Sequence, residues 1–370
     1  MKSFRHSLLL TALSLGFWIS GCDKNGKTKV DFDRRAMLEN YANNLIIPAY
    51  QNLKSRTDSL KSAADAFALN PGTAELDGLQ NIFLNAYRSW QAAEVYELGP
   101  ARDMLLRSSF NTFPTDTALI GSNVRSGSYD LEAAANFKAK GFPALDFLLF
   151  GVGANDAAIL GFYTTDAYAA NRLTYLNDIV NEMKTKTDSV LSVWLNGYVE
   201  TFKNADGTDV GSSTSYLVNE FNYTWELTKN PRIGIPLGKK SLDVPLPEKA
   251  EAYYSGISVE LATLNLQNIR RVLIAEPLNG AAQGPSLETY LDELGARYSG
   301  QLLSDAILGQ FDLAIAKTAL IPNPLSDAVV NYKTVVEEAY IEIQKAVVLI
   351  KTDMPSAMGI LINYQDADGD

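Results

Sequence analysis

The chain has 370 residues, 46% of them apolar and 20% charged, with a formal net charge of −11. That acidity argues against nucleic acid and against an anionic membrane surface as broad docking partners. There is one histidine, His6, and one cysteine, Cys22, so no intramolecular disulfide can form and stability has to come from packing.

Residues 1–21 have the pattern of an export signal. Lys2, Arg5 and His6 form a basic start, and the apolar run from Leu8 to Ile19 is shorter than the ~20 residues of an ordinary spanning helix. The run ends in Ile19-Ser20-Gly21-Cys22, the pattern of a lipoprotein signal, which makes Cys22 the lipidated first residue of the mature protein. The expectation is a cell-envelope lipoprotein of the outer membrane, facing the periplasm or the surface, and held by its N-terminal lipid rather than spanning. Processing removes Lys2 and Arg5 and takes the net charge from −11 to −13. It also removes His6. A mature chain without imidazole has no His-ligated zinc site, no Ser-His-Asp triad and no Cys-His dyad.

Residues 22–35 read as a polar, flexible tether. Beyond them the apolar period is helical nearly throughout. Tyr41, Leu45, Leu53, Leu60 and Phe67 define a first long helix with a kink at Pro48. Asn70-Pro71-Gly72 ends it, and Leu76 to Ala93 forms the second, before Gly99-Pro100. Arg107 to Tyr129 reads as a long irregular crossing. Leu131 to Lys140 is helical and leads into an apolar segment at 141–151. Another long helix follows Asp166 and runs to Trp194, and Asn204 to Ser213 is the best linker candidate. A second helical set starts near Tyr216. Lys229 to Pro247, with four prolines, reads as a loop, and helices are expected at Glu248–Ala275, Leu287–Arg297, Leu302–Leu320 and Val329–Ile350. No alternating run with hairpin turns stands out. The expected fold is all-α, with two helical-bundle domains at 36–205 and 213–370. Their similar helix content is compatible with an internal duplication.

Gly141-Phe142-Pro143-Ala144-Leu145-Asp146-Phe147-Leu148-Leu149-Phe150-Gly151 is the segment the rest is organised around. As a helix it is apolar on almost every side, so it is buried, and its one carboxylate needs donors, a cation or a proton. Upstream, Trp90, Glu94 and Glu97 share one helical face just before Gly99-Pro100. A core tryptophan with two boundary acids is the plain reading of that spacing. Arg232 is a lone base in a proline-rich stretch; it could face a carboxylate ligand or simply form a salt bridge.

These stretches resemble the imelysin family, which is named for an insulin-cleaving membrane peptidase and includes iron-regulated proteins. The family pattern is Gly-x-His-x-x-Glu, then an aromatic, two leucines, an aromatic and Gly. Gly141 and Gly151 keep the frame, whereas Pro143 stands in place of the His and Asp146 in place of the Glu. Trp90, Glu94 and Gly99-Pro100, the Asn44, Pro48 and Tyr50 set, and Tyr254-Ser255 with Asn265 to Ile269 extend the resemblance, although Asn268 replaces the usual Gly. The Asp366-to-Asp370 finish extends it to the C-terminus; it also mimics the start of an EF-hand loop, but the sequence stops before that loop's essential Glu. The resemblance implies two helical bundles with the motif near their interface, and suggests that Glu94 and Asp146 share one pocket.

Three functions follow. The first expectation is an envelope binding protein for iron, another metal or a metal chelate. A hard cation such as iron or calcium would be held by oxygen ligands from Asp146, Glu94 and Glu97; a small organic ligand or peptide, and an envelope uptake partner, are further expectations. The alternative is a non-catalytic structural or adaptor lipoprotein, in which Asp146 only anchors its helix. A metallopeptidase is disfavoured, because Pro143 can neither bind a metal nor donate a proton.

Overall fold

In the computed structural model, which describes residues 31–364, several helices begin where a side chain satisfies a first free amide. Asp33 accepts from the Ala36 amide at the head of α1, Arg34–Tyr41. α1 passes through a π-turn at Ala42–Ile46 into α2, Ile47–Leu69. Pro48 lies in the first turn of α2, where its missing N–H costs nothing, so the break expected there falls at this junction. α3, Thr73–Ala93, packs along α2. Leu53, Leu60 and Phe67 of α2, and Leu76, Leu79, Phe83 and Trp90 of α3, are buried at helical spacing.

Arg107–Tyr129 is not the irregular crossing its composition suggests. After α4, Pro100–Asp103, it holds α5, Leu106–Phe110, and α6, Thr117–Ser126. Asp116 caps α6, and Gly127 ends it at a φ of 65°. Helices of one to three turns carry too few apolar residues to show a period. A 3₁₀ segment at Ala134–Ala139 leads into α7, Gly141–Asp146, which widens into a π-turn at Phe147–Gly151. Next come α8, Asp156–Thr164, α9, Ala169–Val193, and α10, Val199–Asn204; α9 lies along α2.

Past the turn at 205–212, Ser212 caps α11, Ser213–Leu227, three residues before the expected start. α11 continues through a π-turn at Thr228–Gly234 into α12, Ile235–Leu237, so the front of the expected loop is helical. Pro231 sits inside that turn, where it offers no N–H to a tighter ladder. The helix expected from Glu248 starts only at α13, Ser258–Ile274. Pro247–Lys249 is a single 3₁₀ turn, and turns follow to 256, with Ala252 and Gly256 at φ of 49° and 74°. α14 is Leu287–Glu293; a two-residue hairpin, Arg297–Tyr298 with Gln301–Leu302, precedes α15, Leu303–Thr318. α16, Leu325–Asn331, α17, Lys333–Val348, and α18, Met354–Met358, complete the chain, with the expected last helix broken at Tyr332.

Phe32 onward forms one compact unit, and a single buried apolar cluster runs through residues on both sides of the 205–213 turn. α3 packs on α13, and the turn after α3 packs on α11. The region around those two contacts carries the buried charges described below. No single helix among the described residues is long and apolar enough to cross a membrane. The export signal with Cys22, most of the tether, and Asp366 to Asp370 lie outside the described residues.

Candidate functional site

Asp146, the last residue of α7, is 1% exposed. Its Oδ2 accepts from the Tyr254 amide at 2.8 Å, and its Oδ1 accepts from the Ser255 amide at 3.0 Å. Those amides are available because 250–257 is not helical; a helix would have spent them on its own carbonyls. Burial pushes the Asp146 carboxyl up to about 6, against the pull of the Tyr254 and Ser255 amides. The glycine frame has steric causes. Gly141 has a φ of 70°, and a Cβ there would run into the Phe110 carbonyl. A Cβ on Gly151 would run into the Tyr254 ring. Gly141 therefore lets the start of α7 sit against the end of α5, and Gly151 lets its extension sit against Tyr254. Pro143, Asp146 and Tyr254 line a hollow of ≈ 60 Å³, bordered by Phe113.

A second cluster is built from the two halves of the chain. Glu94 lies in the Glu94–Tyr96 turn after α3, and Arg232 in the π-turn after α11. Arg232 Nη2 donates to Glu94 Oε2 at 2.6 Å, and Arg232 Nε to Glu251 Oε2 at 2.7 Å. All three are at most 2% exposed. Asn265 Nδ2 donates to Glu94 Oε2 at 2.9 Å, and Asn265 Oδ1 accepts from the Thr228 hydroxyl at 2.6 Å. Asn111 Nδ2 donates to Glu251 Oε1 at 2.7 Å, with the Tyr87 hydroxyl 3.4 Å away. Burial by itself would lower the pKa of Arg232, but Glu251 and Glu94 raise it, so the cation is fixed. Its Nη1 has no hydrogen-bond partner. An unpaired buried donor costs about 1–3 kcal/mol, more for a charged group.

Glu97 turns away from both clusters. Both of its oxygens accept from the Arg107 amide at 3.1 Å. Burial lifts its carboxyl to about 7, against the pull of the Arg107 charge and amide. Arg107 Nη2 donates to Glu220 at 2.7 Å and to the Glu94 carbonyl at 2.9 Å. Trp90 is core: it is fully buried, with ring centroids 5.2 Å from Phe110 and 6.3 Å from Phe142. A second hollow of ≈ 220 Å³ is lined by Glu94, Arg107, Ser108, Thr112, Phe113 and Arg232, among others. Glu94 and Asp146 thus line different hollows, with Phe113 bordering both.

The chemistry of these donors does not fit a bare metal ion. Asp146 spends both oxygens on backbone amides, and Glu94 and Glu251 are each paired with Arg232. No group of three or more His, Cys, Asp or Glu among the described residues is placed to hold a metal. A cation entering beside Glu94 would have to displace a buried guanidinium.

The sequence singled out Asp146, Tyr254, Ser255, Glu94, Arg232 and Asn265 separately; the structure joins Asp146 to the 254–255 amides, and Glu94 to Arg232 and Asn265. Sequence reasoning missed Glu251, Arg107 and Asn111. Glu251 falls in a stretch read as helix, and the other two in a stretch read as crossing. The only signal available was the imbalance itself: a lone arginine in an apolar, proline-rich stretch needs acids from elsewhere.

Two solved structures resemble this chain in fold. One, from Parabacteroides distasonis ATCC 8503, is described as an iron-regulated protein A precursor; its TM-score is 0.69 at 17% identity, over 87% of this chain and 95% of that one. The other is an imelysin-like protein from Psychrobacter arcticum 273-4, with a TM-score of 0.68 at 19% identity, over 90% of this chain and 97% of that one. No match was found among curated proteins. The family model for imelysin, peptidase M75, matches residues 46–348, and the chain belongs to the imelysin family.

Proposed function

We propose that this protein is a lipid-anchored envelope protein that captures a metal chelate, iron being the first candidate, in the ≈ 220 Å³ hollow beside Arg232, without cleaving peptides. The observation that carries this reading is the pairing of Glu94 and Glu251 with one buried guanidinium. Such acids are poor ligands for a free cation and poor general bases, yet they hold Arg232 at the wall of a hollow. The iron-related name of a structural neighbour supports iron as the cargo. Cys22 supports anchoring by lipid.

Calorimetry separates the possibilities. Fe³⁺, Ca²⁺ and Zn²⁺ alone should give no heat of binding, whereas a ferric chelate should. Tight binding of any bare cation refutes the chelate reading. Cleavage of insulin chains by the purified protein, lost in Asp146→Asn, refutes the non-catalytic one. The adaptor reading is favoured by one observation only: Asp146 ties α7 to the second half through the 254–255 amides. It predicts that no chelate binds at all.

A further inference from the structure

The wall of the larger hollow carries three charges, Glu94, Arg107 and Arg232. Arg232 is 1% exposed, its Nε and Nη2 are used by Glu251 and Glu94, and its Nη1 has no partner. Arg107 Nε is likewise buried without a partner, while Nη2 of the same residue bonds Glu220 and the Glu94 carbonyl. A guanidinium cannot shed its proton to escape such a position, so its free N–H groups can only be matched by an acceptor. Asn111, Thr112 and Tyr223 add neutral polar groups to the same wall.

Four carboxylates surround these two guanidiniums, which at first sight disfavours an anion. Their oxygens are turned elsewhere. Glu251 is committed to Asn111 and Arg232, and Glu97 gives both oxygens to the Arg107 amide. Glu97, Glu220 and Glu251 do not line the hollow, so the facing charge is two cations against one anion.

We propose that this hollow is a carboxylate site, and that its ligand is a small polycarboxylic acid. One carboxylate of the acid is drawn to the Arg232 and Arg107 guanidiniums at the wall, and the remaining carboxylates carry the metal. The inference rests on the reading that the hollow is the recognition site, and it names the chelator class. The volume, ≈ 220 Å³, lies below the roughly 300–1,000 Å³ of sites for drug-sized ligands, which suits a small acid better than a peptide chain. Two charged N–H donors suit a carboxylate better than a neutral chelator.

The test uses the full chain in detergent, with citrate without metal as the probe and glycerol as the neutral control. Citrate should bind and glycerol should not. Arg232→Lys keeps the charge but loses the nitrogen left over after Glu94 and Glu251 are paired, and should weaken citrate at least about tenfold. Ser108→Trp fills the hollow from a residue outside the ion network, and should abolish citrate binding at an unchanged melting temperature. Citrate binding that survives Ser108→Trp overturns the proposal. If citrate fails while a neutral ferric chelate binds and is lost in Ser108→Trp, the carboxylate class is wrong and the recognition site stands. If a ferric chelate binds and survives Ser108→Trp, the recognition site itself is wrong.

Discussion

Asp146→Asn isolates the cost of burying one carboxylate. Burial lifts Asp146 from an ordinary value of 3.8 to about 6. An acid whose pKa rises on folding binds more protons when folded, so its contribution is greatest at low pH and is lost as pH rises from about 4 to about 6. The full span is about two units, or ~3 kcal/mol. Between about pH 7.5 and about pH 5 the recoverable part is ~1.4 kcal/mol, because the folded carboxyl is then mostly protonated while the unfolded one is still ionised. Asparagine carries no charge and removes that slope. At about pH 7.5 the variant leaves one amide of the 254–255 pair without an acceptor, costing about 1–3 kcal/mol, and is relieved of ~3 kcal/mol of desolvation. Its stability there should lie within about 2 kcal/mol of the wild type. Urea unfolding of both proteins at both pH values checks this, and Glu97, which titrates in each, cancels in the difference. Equal pH slopes for the two proteins refute the reasoning: the amides of Tyr254 and Ser255 would then outweigh burial and keep the carboxylate ionised.

Glu97→Gln acts by the same linkage at higher pH. With a folded value of about 7, wild-type stability should rise as pH falls from about 8 to about 6, and the variant should lose that rise in urea unfolding; a rise of unchanged size counts against the burial argument. Arg232→Leu leaves Glu94 and Glu251 without their shared cation and should cost about 3–5 kcal/mol, read from the urea midpoint; a loss below about 1 kcal/mol means the network is not a coupled unit. Pro143→His places an imidazole at the hollow beside Asp146, but both oxygens of that carboxylate are held by amides, so zinc calorimetry should show no gain over wild type. A new tight zinc site would show that the amides release Asp146.

The sequence made Asp146 conspicuous because its neighbours are apolar on nearly every helical face, and the structure buries all of α7. Its partners were harder to see. Tyr254 and Ser255 stand just before a strongly periodic helix, and extending that helix back to Glu248 hid the two free amides. The pairing of Arg232 with Glu94 spans 138 residues, a separation no local period encodes. Long helices such as α2, α3 and α9 were legible because each buries one stripe over several turns. α5 and α6 were not, since Asp116 and Gly127 bound a helix whose buried set is only Ile120, Asn123 and Val124. Capping residues alone carry too little contrast against a Ser- and Asn-rich background.

Burying three charges at the join of two halves is a poor way to gain stability, since apolar replacements of similar volume often do as well or better. It is a good way to fix direction. Glu94 and Glu251 grip Arg232 at Nη2 and Nε and leave Nη1 as the nitrogen without a partner. Asn265, itself held by the Thr228 hydroxyl, and Asn111 in turn hold the two acids. Each of those three residues comes from a different element, so the guanidinium is oriented by both halves at once. Meanwhile Asp146 is held on the 254–255 backbone by both oxygens and serves as a staple. With that carboxylate committed to structure, recognition in this region falls to the arginine.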